Sequence, residues 1–313
     1  MRYNLYPTPV EKINLSINEN NLFIKREDLI STSFGGNKAR KAFLFFNELQ
    51  EQNCNCVITY GSSSSNHCRV VANIAAAEGL KCIIISPTTS SSETFNSKMM
   101  KFFGAEIINC NINKVKETIN NVMHKTMKQG YKPYFIEGGG HGNIGTEAYL
   151  EAYEEIKTFE IENNINFDFI FHTSGTGTTQ AGLICGKLIN HDSKEIIGIS
   201  NARRNPYGSQ VVLDSVNSYL EELGRPLVDL KKINFVDDYV CNGYGSYNKE
   251  IINVIKTLLI EEGIPMDLTY TGKGFWGMKE YIKKNQLINK NILFIHTGGT
   301  PLFYDDLEVL IGG

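Results

Sequence analysis

No stretch of this chain stays apolar long enough to cross a bilayer, which argues against a helical membrane span. Charge of one sign is also lacking. The 31 basic and 34 acidic residues are interspersed, the formal net charge is −3, and no basic stripe exists to attract nucleic acid. Cysteine is sparse: there are seven, and only Cys54 and Cys56 lie close together, in a C-x-C spacing that is a weak metal signal alone. An odd number scattered through apolar stretches reads as reduced thiols in a cytoplasmic protein. No histidine–glutamate spacing proposes a metal site. The opening Met1-Arg2-Tyr3-Asn4-Leu5 lacks the apolar core of a signal peptide. Internal repeats, low-complexity tracts and long linkers are missing as well.

What is present is the composition of an ordinary globular protein, 42% hydrophobic and 21% charged. Its 313 residues suffice for two domains, or for one with a large insertion. From Cys56 onward, short apolar runs alternate with helical patterns closed by Gly79, Gly104 and Gly130. Strands are expected at 57–60, 81–86, 105–110 and 134–136, with helices at 68–78, 93–103 and 113–128. A long polar helix at 144–162 bridges to a second alternating block. There, strands at 167–173, 196–200 and 291–296 frame helices at 181–188, 210–223 and 249–262. Residues 267–271 lead into Gly272-Lys273-Gly274. Alternation at this pitch implies parallel sheets with right-handed crossovers.

Ligands of open α/β sheets collect at the carboxyl ends of the strands, where helix amino ends bind anions. The glycine-rich loops 61–67, 137–142, 174–180 and 297–300 fall at those ends. Loop 174–180 is the most specific. Gly175 and Gly177 free its backbone amides to wrap a phosphate, with hydroxyls from Ser174, Thr176, Thr178 and Thr179. It is not a dinucleotide fingerprint, because Gln180 stands where a third glycine or alanine belongs. Nor is it a Walker A loop, because Leu183 replaces the required lysine. A small phosphorylated cofactor fits better. Upstream, Gly35-Gly36-Asn37-Lys38 places Lys38 where a tight loop becomes a helix. A lysine there serves as a phosphate partner, a Schiff-base nucleophile or a plain surface charge. Ser62 to His67 offer hydroxyls, an amide and an imidazole ahead of a helix, a setting suited to a carboxylate. The simpler reading of any one of those serines is a helix cap. His141 and His172 have no catalytic companions at recognisable spacing and read as structural.

These residues carry a resemblance. Lys25-Arg26-Glu27-Asp28, Gly35-Gly36-Asn37-Lys38-x-Arg40-Lys41 and Ser65-Asn66-His67-x-Arg69 match in order. So do Gly175-Thr176-Gly177-Thr178-Thr179-Gln180-Ala181-Gly182, Tyr270-Thr271-Gly272-Lys273-Gly274 and His296-Thr297-Gly298-Gly299. Over nearly its whole length the chain resembles the fold-type II pyridoxal-phosphate enzymes. Within them it is similar to the D-cysteine desulfhydrase / 1-aminocyclopropane-1-carboxylate (ACC) deaminase family.

The resemblance implies an α/β fold of two open twisted parallel-sheet domains, tryptophan synthase β-like. The large domain would comprise 1–47 and 151–313, with a small domain, 48–150, inserted in it and the cofactor in the cleft between. It implies pyridoxal 5'-phosphate as cofactor, a small amino acid as substrate and a homodimer as the assembly. By the same resemblance Lys38 is the Schiff-base lysine, Lys41 reaches the phosphate, and Gly175, Thr176, Gly177, Thr178 and Thr179 form its cradle. Asn66 stands against the ring and its phenolic oxygen, with Ser65 and His67 beside the substrate carboxylate. Tyr244 and Tyr270 are the active-site tyrosines, and Thr297 places a hydroxyl at the ring nitrogen.

The implied reaction is β-elimination from D-cysteine. The alternatives are ACC deamination, a specialised lyase or racemase of another small amino acid, and a silent or regulatory cofactor-binding protein. The family's deaminases have glutamate after the active-site tyrosine and leucine after the final-strand histidine. Thr271, counted among the substrate-binding residues, and Thr297 occupy those positions here and favour the desulfhydrase. Exchanging Thr271→Glu with Thr297→Leu is then expected to weaken that activity.

Overall fold

The computed structural model describes residues 7–88 and 93–312, and the Met1-Arg2-Tyr3-Asn4-Leu5 opening lies outside them. β1 (Val10–Lys12) and β2 (Asn21–Arg26) form an antiparallel pair. The chain then turns through the Gly35-Gly36 pair into α1 (Asn37–Glu51). Both glycines have positive φ, and a Cβ on Gly36 would sit 2.7 Å from the Thr297 carbonyl oxygen. Any larger residue would push α1 away from the 297–298 loop.

Four strands follow, the central two carrying near-continuous apolar runs, the pattern of a parallel sheet covered on both faces. They are β3 (Cys56–Tyr60), β4 (Lys81–Pro87), β5 (Glu106–Cys110) and β6 (Pro133–Ile136), joined by α2 (Asn66–Ala77), α3 (Phe95–Phe102) and α4 (Val115–Lys128). They pair in the order β5-β4-β3-β6, all parallel. Phe43, Phe46 and Leu49 of α1 join Val57, Val71, Ile84 and Ile136 in one core on this sheet.

Helix α5 (Asn143–Asn163) leads to the second block of strands. This comprises β7 (Phe169–Ser174), α6 (Thr178–Ile189), β8 (Glu195–Ser200), α7 (Tyr207–Glu222) and β9 (Asn234–Val236). It continues through α8 (Lys249–Glu262), α9 (Thr271–Lys284) and β10 (Asn291–His296), and α10 (Thr300–Asp305) and α11 (Leu307–Gly312) close the chain. With β1 and β2 the strands make a six-stranded sheet of order β1-β2-β10-β7-β8-β9, parallel except for the first pair. Alternate residues point to opposite faces. Phe171, Ile197 and Phe294 meet α8 and α9 on one side, while Ile170, Ile196, Leu293 and Ile295 meet α5, α6 and α7 on the other. Among the described residues no helix is long and apolar enough to cross a membrane.

The order of each sheet reverses once, around β3 and around β7, so loops leaving the carboxyl ends there diverge and open a crevice. The expected elements recur with shifted ends. The helix read over 68–78 starts at Asn66 because the Ser65 hydroxyl accepts the Cys68 amide at 3.2 Å. The one read from 181 starts at Thr178, since Gly177 at φ 98° turns the chain into it. The helix read from 113 is preceded by a 3-10 turn, Ile112–Lys114.

Candidate active site

The carboxyl-end loops of both sheets converge on one cavity of about 330 Å³. Loop 61–67 and residues 138–139 enter it from the small sheet; residues 173–177, 201–203 and 297–298 enter from the large one. Among the described residues no aspartate or glutamate lines the cavity, whereas Lys38 and Arg203 both do. The lining is therefore electropositive and suits an anionic ligand.

Lys38 stands in the first turn of α1, and its Nζ donates to the Gly139 carbonyl at 2.8 Å. Burial lowers its ammonium to about 8, so near neutral pH it is far more often neutral than an ordinary lysine, though still mostly protonated. Lys41, one turn on, does not line the cavity. It is buried behind the 175–179 loop, where Nζ donates to Thr178 Oγ1 at 2.5 Å. Burial, and then the charge of Lys38, push it well below the ordinary lysine value. Among the described residues no carboxylate pairs with Lys41. Asn37 donates to Thr179 Oγ1 at 3.2 Å, so two contacts tie the start of α1 to the start of α6.

The 175–179 cup differs in detail from its reading. Gly175, Thr176, Gly177 and Thr179 line the cavity, but Thr178 is wholly buried as the acceptor for Lys41. Ser174 also lines it, yet its hydroxyl proton goes to Gln180 Oε1 at 3.0 Å. On the opposite wall Ser65, Asn66 and His67 all line the cavity. The Asn66 oxygen accepts from Arg69 at 2.7 Å and from Asn96 at 3.0 Å, which leaves its NH₂ to donate. Thr59 gives its hydroxyl proton to Ile136 O, so the 2.9 Å contact with His67 Nε2 makes that nitrogen the donor. Burial keeps this imidazole neutral, well below the ordinary histidine value.

Tyr270 and Tyr244 meet hydroxyl to hydroxyl at 2.6 Å at the mouth. Burial, then the neighbouring Tyr244, hold the Tyr270 proton well above the ordinary tyrosine value. Thr297 lines the cavity beside Gly298. Thr271 does not. It is fully buried, and its hydroxyl donates to Asp267 Oδ1 at 2.7 Å. Asp267 also accepts the amides of Thr269, Tyr270 and Thr271 at 3.0, 2.8 and 3.0 Å, which folds residues 267–271 into the turn that presents Tyr270. A direct substrate contact for Thr271 is thereby corrected, because its side chain is spent inside the turn. Thr271→Glu would bury a second carboxylate against Asp267 and should cost about 3 kcal/mol or more. Urea denaturation checks this, and a loss under about 1 kcal/mol would contradict it.

Residues missed in the sequence include Tyr60 and Asn201-Ala202-Arg203, which follow β8. The carboxyl-end rule applied to them too, but the loop has no glycine to draw attention. His172 is buried on β7 with Nδ1 against the Thr173 carbonyl at 3.0 Å, in keeping with a structural role. His141 lies outside the cavity, in an adjoining chamber.

The residues fit a small phosphorylated carbonyl compound. Lys41, buried with no counter-ion among the described residues, stands behind the amino end of α6, where a phosphate would supply the missing negative charge. Nearby, Lys38 has the lowered basicity that carbonyl attack requires.

Comparisons with known proteins agree. A family model described as "Pyridoxal-phosphate dependent enzyme" matches residues 1–298. The chain is 30% identical over 308 residues to D-cysteine desulfhydrases of Yersinia pestis (strain Pestoides F) and Yersinia pseudotuberculosis serotype O:1b (strain IP 31758). Each match covers 95% of this chain and 92% of the relative. Among solved structures, an ACC deaminase homologue superposes with a TM-score of 0.88 at 28% identity, covering 98% of this chain and 94% of that one. A hydrogen sulfide-producing enzyme from Fusobacterium nucleatum, 19% identical with a TM-score of 0.66, covers 93% and 94% and shares the fold. With its two parallel sheets, its phosphate cup and its lysine of lowered basicity, the chain belongs to the pyridoxal-phosphate dependent enzymes, in their fold-type II form.

Proposed function

We propose that this protein is a β-eliminating lyase that converts D-cysteine and water to pyruvate, ammonia and hydrogen sulfide. The observation that carries the reading is Lys38, an amine lowered to about 8 that shares an acid-free cavity with the Tyr270–Tyr244 pair. The D-cysteine desulfhydrases to which the chain is similar support the substrate.

The chain's own residues have these roles. Lys38 would hold the cofactor, and the amides and hydroxyls of Gly175, Thr176, Gly177 and Thr179 its phosphate, with Lys41 and Thr178 behind them. Asn66 would donate its NH₂ to the phenolic oxygen, and Thr297 would meet the ring nitrogen with a hydroxyl. Pyridoxal phosphate, when bound, takes up the electron pair released as bonds at the substrate α-carbon break. Ser65 and the amino end of α2, to which His67 contributes its backbone amide and not its imidazole, receive the substrate carboxylate. The Lys38 amine, when neutral, accepts the α-proton. As the Cβ–S bond breaks, sulfur keeps the bonding pair, and Tyr270 with Tyr244 holds protons at the mouth. A hydroxyl at 297 in place of a carboxylate leaves the ring nitrogen without an acid to enforce its protonation.

The ACC deaminase homologue keeps a second reading alive, release of 2-oxobutyrate and ammonia from ACC. The ratio of kcat/KM for D-cysteine to that for ACC decides between them. We expect it to exceed about 100, a preference of the size that a misplaced acid–base group imposes. A ratio below one puts the deaminase first.

The proposal extends to a cytoplasmic homodimer, which light scattering on eluted protein checks. The division into 1–47 with 151–313 and an inserted 48–150 is supported by which strands share a sheet.

A further inference from the structure

Arg203 is given no task by the reading above, yet it stands at a junction. It lines the main cavity and also a second chamber of about 240 Å³, which adjoins the first at Tyr60, Gly138 and Thr176. Its Nη1 is buried and has no hydrogen-bond partner. Its guanidinium lies over the Tyr207 ring, 5.3 Å from the centroid. Such stacking holds the plane of the group by its face and leaves the N–H edge unsatisfied. Among the described residues no carboxylate pairs with it, although Glu137 and Asp214 also line the second chamber.

A guanidinium does not escape an unsatisfied site by losing its proton. What Nη1 lacks is therefore an acceptor, and a planar fork of donors matches an oxyanion. The main cavity beside it holds no acid that could supply one.

We propose that Arg203 is an anion-binding residue of this site, its Nη1 donating to an oxyanion lodged beside Thr176. The inference rests on the reading that the cavity holds pyridoxal phosphate and a small amino acid. Two sources carry that chemistry: the cofactor phosphate, and an acidic group on the substrate's β-carbon.

The test compares charged ligands with their uncharged counterparts in wild type, R203Q and R203K. Stripped full-length protein is titrated with pyridoxal phosphate and with pyridoxal, followed by visible absorbance. Holoenzyme is titrated with D-cysteate and with D-alanine, read as a change in the cofactor spectrum. R203Q should bind one charged ligand about tenfold more weakly or worse, and its uncharged counterpart within about twofold of wild type, as for loss of a charge-assisted hydrogen bond. R203K, which keeps the charge without the fork, should fall between.

A loss confined to pyridoxal phosphate assigns the cofactor phosphate as the anion. One confined to D-cysteate assigns the substrate group. Equal weakening of charged and uncharged ligands, or none, overturns the inference while the cofactor reading stands. Wild type that takes up no pyridoxal phosphate overturns both. Should R203Q not fold, R203K decides alone: affinities equal to wild type in every arm overturn the inference.

Discussion

Replacing Lys38 with alanine is expected to lower D-cysteine turnover by about 1,000-fold or more, since covalent attachment and proton transfer fall on the same amine. The variant should also lose borohydride-reducible attachment of the cofactor while keeping its fold, because among the described residues Nζ makes one hydrogen bond, to the Gly139 carbonyl. The pH dependence has a definite sign. Burial lowers the Lys38 ammonium to about 8 from the ordinary 10.5, so its neutral, nucleophilic form grows as pH rises toward and past 8. Attachment of pyridoxal phosphate to cofactor-free protein should therefore accelerate through that range and level off above it. An Lys38→Ala protein that still yields the reducible adduct in wild-type amounts would refute the assignment.

The second large effect concerns the charged network beneath α1. Glu27 is fully buried, and its carboxylate takes Arg40 Nε at 2.6 Å, Arg40 Nη2 at 2.8 Å, the Thr8 hydroxyl at 2.7 Å and the Tyr149 hydroxyl at 3.2 Å. Arg40 in turn reaches Glu155 at 2.7 Å, and Lys25 reaches the same glutamate at 2.6 Å. Burial alone would raise the Glu27 carboxyl, but the charges of Arg40 and Lys25 outweigh it and bring the group down to about 2.

Glu27→Gln removes the charge while keeping the shape and leaves Arg40 partly uncompensated. The expected loss is about 3–5 kcal/mol at pH 7. Because the folded value lies below the ordinary 4.5, the folded state binds fewer protons than the unfolded one there. The stabilisation is complete above 4.5 and fades as pH falls toward about 2. Urea denaturation of wild type and Glu27→Gln should show a gap that is widest near neutrality and narrower at pH 3.5. A gap under about 1 kcal/mol at pH 7 would mean that the network does not anchor α1.

Local chemistry was legible in the sequence because it depends on neighbours in the chain. Apolar runs such as Val57-Ile58 and Ile83-Ile84-Ile85 mark strands without partners in view, and Gly79, Gly104 and Gly130 do follow the helices they were read to close. Loop glycines at strand ends likewise pointed to Asn66, Gly175, Gly177 and Thr297, and the Gly35-Gly36 pair ahead of α1 pointed to Lys38; all of these line the cavity.

What only tertiary structure decided is where each side chain spends its polar groups. Thr271 finds its partner Asp267 only four positions away, but nothing local says that Thr178 serves Lys41 from 137 positions away. The Lys25-Arg26-Glu27-Asp28 motif was visible, but its charges find Arg40 and Glu155 only after β2, α1 and α5 are brought together. Strand order is the physical reason. Insertion of β10 between β2 and β7 sets Thr297 against Gly36, and a contact between residues so distant in the chain leaves no local pattern to read.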